Sequence, residues 1–180
     1  GELTVAASVP FLLVGDAFEQ FREKHRGVSV EMVEGTCDAS VALVGQRKAD
    51  VAFVTRISAN GVAQSLHLRD ERLIAVLPSS HPLAKARAVM LEELVSETII
   101  LGASGLGPEV ADQVKRHLAN SAGGPSLQLH RTGQCDVVNM VARGFGISIV
   151  VGHLRYPAPE GVVLLPLAGM SLIPIHAVWM

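Results

Sequence analysis

The order of the apolar runs constrains this chain more than any single motif. Leu3-Thr4-Val5-Ala6-Ala7 reads as a short buried strand, and Ser8-Val9-Pro10 follows it as the opening of a helix. Phe11, Val14, Phe18 and Phe21 recur at the three-then-four spacing of one helical face. Arg22, Lys24, His25 and Arg26 fall in the last turn, where positive charge suits the helix dipole, and Gly27 is the expected stop. Val28 to Val33 is the next strand. A helix then runs from Gly35-Thr36-Cys37-Asp38 through Val41 and Leu43 to Arg47, and Asp50-Val51-Ala52-Phe53-Val54 is a third strand. Strand, helix, strand, helix, strand predicts a parallel sheet with helices packed against it.

The same order then returns. Leu73 to Leu77 is a strand, Pro78 to Arg87 a polar loop, and Thr98 to Leu101 a strand. Gly102 to Gly107 is a glycine-rich loop, and Pro108 stands where a first helical residue tolerates proline. Val110, Val114 and Leu118 line one face of the helix that follows. Leu127 to Arg131 is a strand, Cys135 to Arg143 a helix stopped by Gly144, and Phe145 to Val151 a last buried strand. Cys37-Asp38 and Cys135-Asp136 each lead a short apolar helix into a strand, a weak echo that fits a duplicated unit.

The fold class predicted is α/β, with two Rossmann-like lobes joined by a hinge of two crossings. Arg69-Asp70-Glu71-Arg72 and Tyr156-Pro157-Ala158-Pro159-Glu160-Gly161 are the expected crossings, being polar or proline-rich. Val162–Pro166 and Ile175–Trp179 would return to the first lobe. Residues 1–70 plus 161–180 are therefore assigned to lobe I and residues 71–160 to lobe II, with a cleft between them.

Open parallel sheets bind ligands beyond the carboxyl ends of their strands. In lobe I those positions are Ser8, Val9, Pro10, Thr36, Cys37, Asp38, Thr55 and Arg56; in lobe II they are Gly102, Ala103, Ser104, Gly133, Gln134, Val151 and Gly152. Several open helices, where free N–H groups and the dipole favour an anion, so a small carboxylate is the expected ligand. Each residue also has a duller role. Ser8 and Thr36 are expected to cap helices, and Arg56 fits a solvated surface as well as a ligand carboxylate. Cys37 and Cys135 read as two reduced thiols, with thiol chemistry at a helix start as the alternative. Thr36→Val is expected to weaken ligand binding and leave the fold intact.

Other function classes find little support. The 180 residues carry a net charge of −2, so there is no electrostatic footprint for nucleic acid or an anionic membrane. No apolar run approaches the ~20 residues of a membrane span, and two reduced thiols fit a cytoplasmic location, which is expected. Gly102 to Gly107 has neither the spacing of a nucleophile elbow nor the lysine of a phosphate loop, and it misses the dinucleotide fingerprint. Histidines 25, 67, 81, 117, 130, 153 and 176 are scattered without metal-ligand spacing, and no carboxylate pair is placed for acid–base work. Neither catalysis, a metal nor a cofactor is expected.

Four segments in order resemble the effector-binding domain of LysR-type transcriptional regulators. They are Phe18-Glu19-Gln20-Phe21 through His25-Arg26-Gly27-Val28 with Gly35 soon after, and Lys48-Ala49-Asp50-Val51-Ala52-Phe53. Leu73 through Ser79-Ser80-His81-Pro82-Leu83-Ala84 and Val141-Ala142-Arg143-Gly144-Phe145-Gly146-Ile147 complete the set. The resemblance implies a type 2 periplasmic-binding-protein-like fold, a small effector in the cleft, and dimers, often within tetramers. It implies that promoter DNA is met only through an N-terminal winged helix-turn-helix, which these residues do not include. The family's usual terminal helix is likewise not found after Trp179-Met180. By position, Ser8, Thr36 and Gly102–Ser104 match the family's ligand contacts. The alternative is a transporter's solute receptor of the same fold. A two-lobed α/β enzyme lacks a visible catalytic set.

Overall fold

The computed structural model describes residues 1–57, 64–152, 154 and 157–180. In chain order the elements are β1 (Glu2–Ala7), α1 (Gly15–Lys24), β2 (Ser29–Glu34), α2 (Cys37–Gly45), β3 (Val51–Val54), β4 (Gln64–Pro78) and β5 (Val89–Met90). They continue with β6 (Thr98–Gly102), α3 (Gly107–His117), β7 (Ser126–His130), α4 (Gln134–Ala142), β8 (Ser148–Gly152), β9 (Val162–Ala168) and β10 (Ile173–Trp179). The chain divides into unit 1, Gly1–Asp70 with Pro174–Met180, and unit 2, Glu71–Ile173.

In unit 1, β1 pairs in parallel with β2 on one side and β3 on the other. β10 joins β3 antiparallel, with His176 opposite Val54, and β4 follows β10. Ala6, Ala52, Val54 and Val178 point one way and close a core with Cys37, Val44 and Ala49 from α2 and its exit. Fully burying side chains of this size stabilises the fold by about 1.5–3 kcal/mol each for the larger ones. Phe18 of α1 meets Phe53 of β3 edge to face, ring centroids 5.6 Å apart.

The helix after β1 starts later than its spacing suggests. Pro10 holds an extended backbone, φ −58° and ψ 140°, and Phe11–Leu13 form a 3-10 turn in which Val14 N–H donates to Phe11 O at 2.9 Å. The tighter turn breaks the 3.6-residue period, and Phe11, though still stacked on Phe18, is 54 % exposed. α1 also ends at Lys24, with His25 N–H on Phe21 O, before Gly27 is reached.

Unit 2 repeats the strand plan. β6 and β7 are parallel, and Ile147, just ahead of β8, makes a parallel bridge to Ile99. β4 pairs antiparallel with both β8 and β9, and β5 runs parallel to β9. Ile100 of β6 and Val76 of β4 pack against Val137 and Val141 of α4, with Val162 of β9. On α3, Val110, Ala111 and Val114 are buried, Pro108 lies in the first turn, and Lys115, Arg116 and His117 close the last. The His-Pro-Leu turn is structural. His81 Nδ1 accepts from Leu83 N–H at 3.1 Å, which leaves the proton on Nε2 to be donated to Glu97 Oε1 at 2.9 Å.

The first crossing falls where expected, between Asp70 and Glu71, and the second does not. Arg69-Asp70-Glu71-Arg72 is not a loop, however, because it lies inside β4, which passes unbroken from unit 1 into unit 2. Tyr156 of the second expected crossing lies outside the described residues. Val162–Pro166 belongs to unit 2, since β9 is held by β4 in the register Ile74↔Pro166 to Pro78↔Val162. The return therefore falls at Ile173/Pro174, and residues 161–173 leave lobe I.

One histidine of unit 1 gives a pH dependence. His176 meets His67 of β4 with ring centroids 5.3 Å apart, and His67 Nε2 lies 2.9 Å from Asp70 Oδ1. Among the described residues, the buried Nδ1 of His176 has no hydrogen-bond partner. Burial first, then the charge of His67, hold the His176 pKa below its usual 6.5, while Asp70 pulls the other way. The folded protein thus resists a proton that the unfolded chain accepts, so stability is full above about pH 6.5 and is lost as pH falls below it. The melting temperature is expected to drop between about pH 7.5 and about pH 5.5, and His176→Gln to drop less. Equal drops in the two proteins would remove His176 as the cause.

Candidate functional site

The carboxyl ends of β1, β2 and β3 bring the unit 1 candidates together. Ser8 follows β1 and is 2 % exposed; its N–H donates to Phe53 O at 3.0 Å and its Oγ to the same oxygen at 3.5 Å. It therefore caps no helix, contrary to expectation, because Pro10 and Val14 hold the cap positions of the 3-10 turn and of α1. Val9 is buried beside it. Thr36 does cap α2: Oγ1 accepts from Ala39 N–H at 3.3 Å. That bond uses a lone pair and leaves the hydroxyl hydrogen for another acceptor.

Cys37 and Arg56 tie the start of α2 to the exit of β3. The buried Cys37 thiol donates to Arg56 O at 3.3 Å, and the Arg56 guanidinium pairs with Asp38 at 3.1 Å. The Arg56–Asp38 pair is well exposed, 59 % and 85 % at the side chains, so it adds little stability and can exchange for another carboxylate. Thr55 is buried, 4 % exposed.

In unit 2, β6 ends at Gly102 in register with His130 of β7, and Ala103 N–H donates to His130 O at 2.7 Å. Ser104 is exposed and its carbonyl accepts from Gly107 N–H at 3.4 Å. Gly133 caps α4 in extended conformation, and Gln134 and Cys135 are the exposed first residues of that helix. Their free N–H groups favour an anion. Val151 is placed differently from its expectation. β8 runs on through Gly152, so Val151 sits inside the strand opposite Leu73 and is 5 % exposed.

Sequence reading missed the part that two residues play here. Asp38 reads as a helix-start acid, and nothing local marks it as the partner of Arg56 eighteen residues on. Phe11 reads as core and stands exposed in the loop after β1. Among the described residues no group of His, Cys, Asp and Glu is arranged to hold a metal ion. No helix among them is long and apolar enough to cross a membrane.

The family model for the LysR substrate binding domain matches residues 1–180. The chain is a LysR substrate-binding domain. This LysR domain is 27 % identical over 178 residues to the HTH-type transcriptional regulator TtuA of Agrobacterium vitis, covering 93 % of this chain and 57 % of that protein. It is 26 % identical over 172 residues to the HTH-type transcriptional regulator BenM of Acinetobacter baylyi, covering 93 % and 53 %. The LysR domain thus spans about half the length of the curated relatives it matches. Its fold matches the BenM effector binding domain with its effector benzoate at a TM-score of 0.79, with 23 % identity over 99 % of this chain and 82 % of that one. Against the reduced form of OxyR the TM-score is 0.77, with 19 % identity over 99 % and 85 %. The fold is of the type 2 periplasmic-binding-protein-like class.

Proposed function

We propose that this domain senses a small carboxylate effector for a longer, cytoplasmic transcription regulator, which meets promoter DNA through a helix-turn-helix segment outside these residues. The observation that carries the reading is the family match over residues 1–180. The relatives named above are regulators, which weighs against both the transporter receptor and an enzyme. Carboxylate chemistry is supported by the helix starts at Thr36 and Gly133, by the exposed Arg56, and by the benzoate carried by the BenM domain. We assign effector contact to Ser8, Val9, Pro10, Thr36, Cys37, Thr55 and Arg56 in unit 1 and to Gly102, Ala103, Ser104, Gly133 and Gln134 in unit 2. Val151 is retained only as backbone beside them. The regulator works as a homodimer or homotetramer whose two states the effector binds unequally, since only unequal binding shifts an equilibrium.

A thermal-shift screen against small organic acids tests the reading, because a ligand of the folded state raises the melting temperature. A saturable shift from a carboxylate supports it; shifts from uncharged analogues alone would overturn the carboxylate assignment. Thr36 variants locate the site. Thr36→Val loses a helix cap worth about 1 kcal/mol as well as the hydroxyl, so it is expected to lower both the melting temperature and the effector affinity. Thr36→Ser keeps both functions and is expected to restore both. Equal affinity in all three proteins removes Thr36 from the site.

A further inference from the structure

Phe11 is out of place for its chemistry. It is a large apolar side chain, 54 % exposed, in the loop that leaves β1 between Ser8 and α1. It is also held in place. Its ring stacks on Phe18 at 5.7 Å with 22° between planes, and Phe18 rests edge-on against Phe53 of β3 at 5.6 Å. Gly15 leaves room for the ring: a Cβ there would lie 3.4 Å from Phe11 Cε1. The loop is fastened at both ends, by Ser8 N–H on Phe53 O and by the Arg69 guanidinium on Leu13 O. One face of a fixed ring is thus covered by Phe18 while much of the ring meets solvent.

We propose that Phe11 is a preorganised stacking platform that selects planar aromatic effectors over saturated ones of equal size. The proposal rests on the sensing function above and adds the effector's ring to its carboxylate. An exposed ring costs the free protein apolar surface in water, and a second ring laid on it recovers that surface. Ring–ring contact also prefers a flat partner, since offset stacking needs two π faces, whereas a puckered cyclohexyl ring gains burial alone. Because the ring is already fixed, little side-chain freedom is lost on binding. Spacing could not show this, because the 3-10 turn that exposes Phe11 is invisible in the apolar pattern.

The test separates ring from charge. Benzoate, cyclohexanecarboxylate, benzamide and cyclohexanecarboxamide are titrated calorimetrically into the 180-residue protein and into Phe11→Leu, which keeps an apolar side chain and Phe18 covered. The wild type is expected to prefer each aromatic probe over its saturated partner, and Phe11→Leu to lose roughly 3- to 10-fold affinity for the aromatic probes alone. An unchanged aromatic preference in Phe11→Leu, or an equal loss for both ring types, overturns the platform while leaving the sensing function standing. Benzamide bound as tightly as benzoate, with the preference lost in Phe11→Leu, supports the platform and overturns the carboxylate assignment. Binding of none of the four overturns the platform and leaves the carboxylate assignment to the thermal-shift screen. Melting temperatures of the two proteins, within a few degrees of each other, exclude misfolding as the cause.

Discussion

Gly107→Ala is expected to destabilise unit 2 by about 3 kcal/mol or more, or to prevent it from folding. A Cβ at position 107 would lie 1.7 Å from Gly102 O, 2.8 Å from Gly102 C and 3.1 Å from Gly102 N. These atoms are backbone, so no flexible side chain can move aside. Gly102 is itself fixed at the end of β6, in register with His130, and the next residue donates to His130 O at 2.7 Å. Relief would part the first turn of α3 from β6 and expose Val110 and Val114, which are buried beneath that helix. Gly45→Ala is the control. Gly45 ends α2 with nothing within 4 Å of its added Cβ, and alanine there is expected to be neutral or slightly stabilising. Urea denaturation followed by circular dichroism compares the two. Equal midpoints would mean that the loop from Gly102 to Gly107 is looser than its geometry. Glycine at position 107 is therefore required by the close approach of α3 to the end of β6.

Much of the fold was legible because its signals are local. The stripe of Val110, Val114 and Leu118 marks α3, and Gly144 at φ 81° ends the turn after α4 as expected of a residue freed from the Cβ penalty. The ends of β1, β2 and β6 were legible from their apolar runs, whereas β8 runs on past Val151. What failed was non-local. The run Arg69-Asp70-Glu71-Arg72 reads as a linker since charged residues punctuate loops, but it lies inside β4, where Arg72 pairs with Gly152 of β8, and that strand carries both buried and exposed stretches. β9 reads as a return to lobe I because nothing in Val162–Pro166 encodes its neighbour; only the register with Ile74 to Pro78 does. Phe11 and Asp38 failed for the same reason. One is displaced by a single 3-10 turn, and the other takes its role from a residue on a different loop.

Ile100→Ala is expected to cost about 2–5 kcal/mol, the range for emptying a buried site of this size. Ile100 is 0 % exposed at the centre of the cluster with Val76, Val137, Val141 and Val162. Its N–H donates to Ile147 O at 2.8 Å, a backbone bond that alanine keeps, so the loss reports the cavity rather than the sheet. Ile100→Val removes one methyl group and is expected to cost about 0.5–1.5 kcal/mol. A similar cost for the two variants would show that the cluster collapses around the gap. The cluster also bears on the site. Val137 and Val141 seat α4, and the proposed effector contacts Gly133 and Gln134 are the cap and first residue of that helix. An effector bound there draws its N–H groups from a helix whose position depends on Ile100. Saturating ligand is therefore expected to recover part of the lost stability, about 2.7 kcal/mol at a hundredfold excess over its Kd. Recovery equal to that of the wild type at the same ligand concentration means that α4 keeps its place over the cavity. A smaller recovery means that its first turn has shifted, and it would tie effector affinity to the packing beneath the helix.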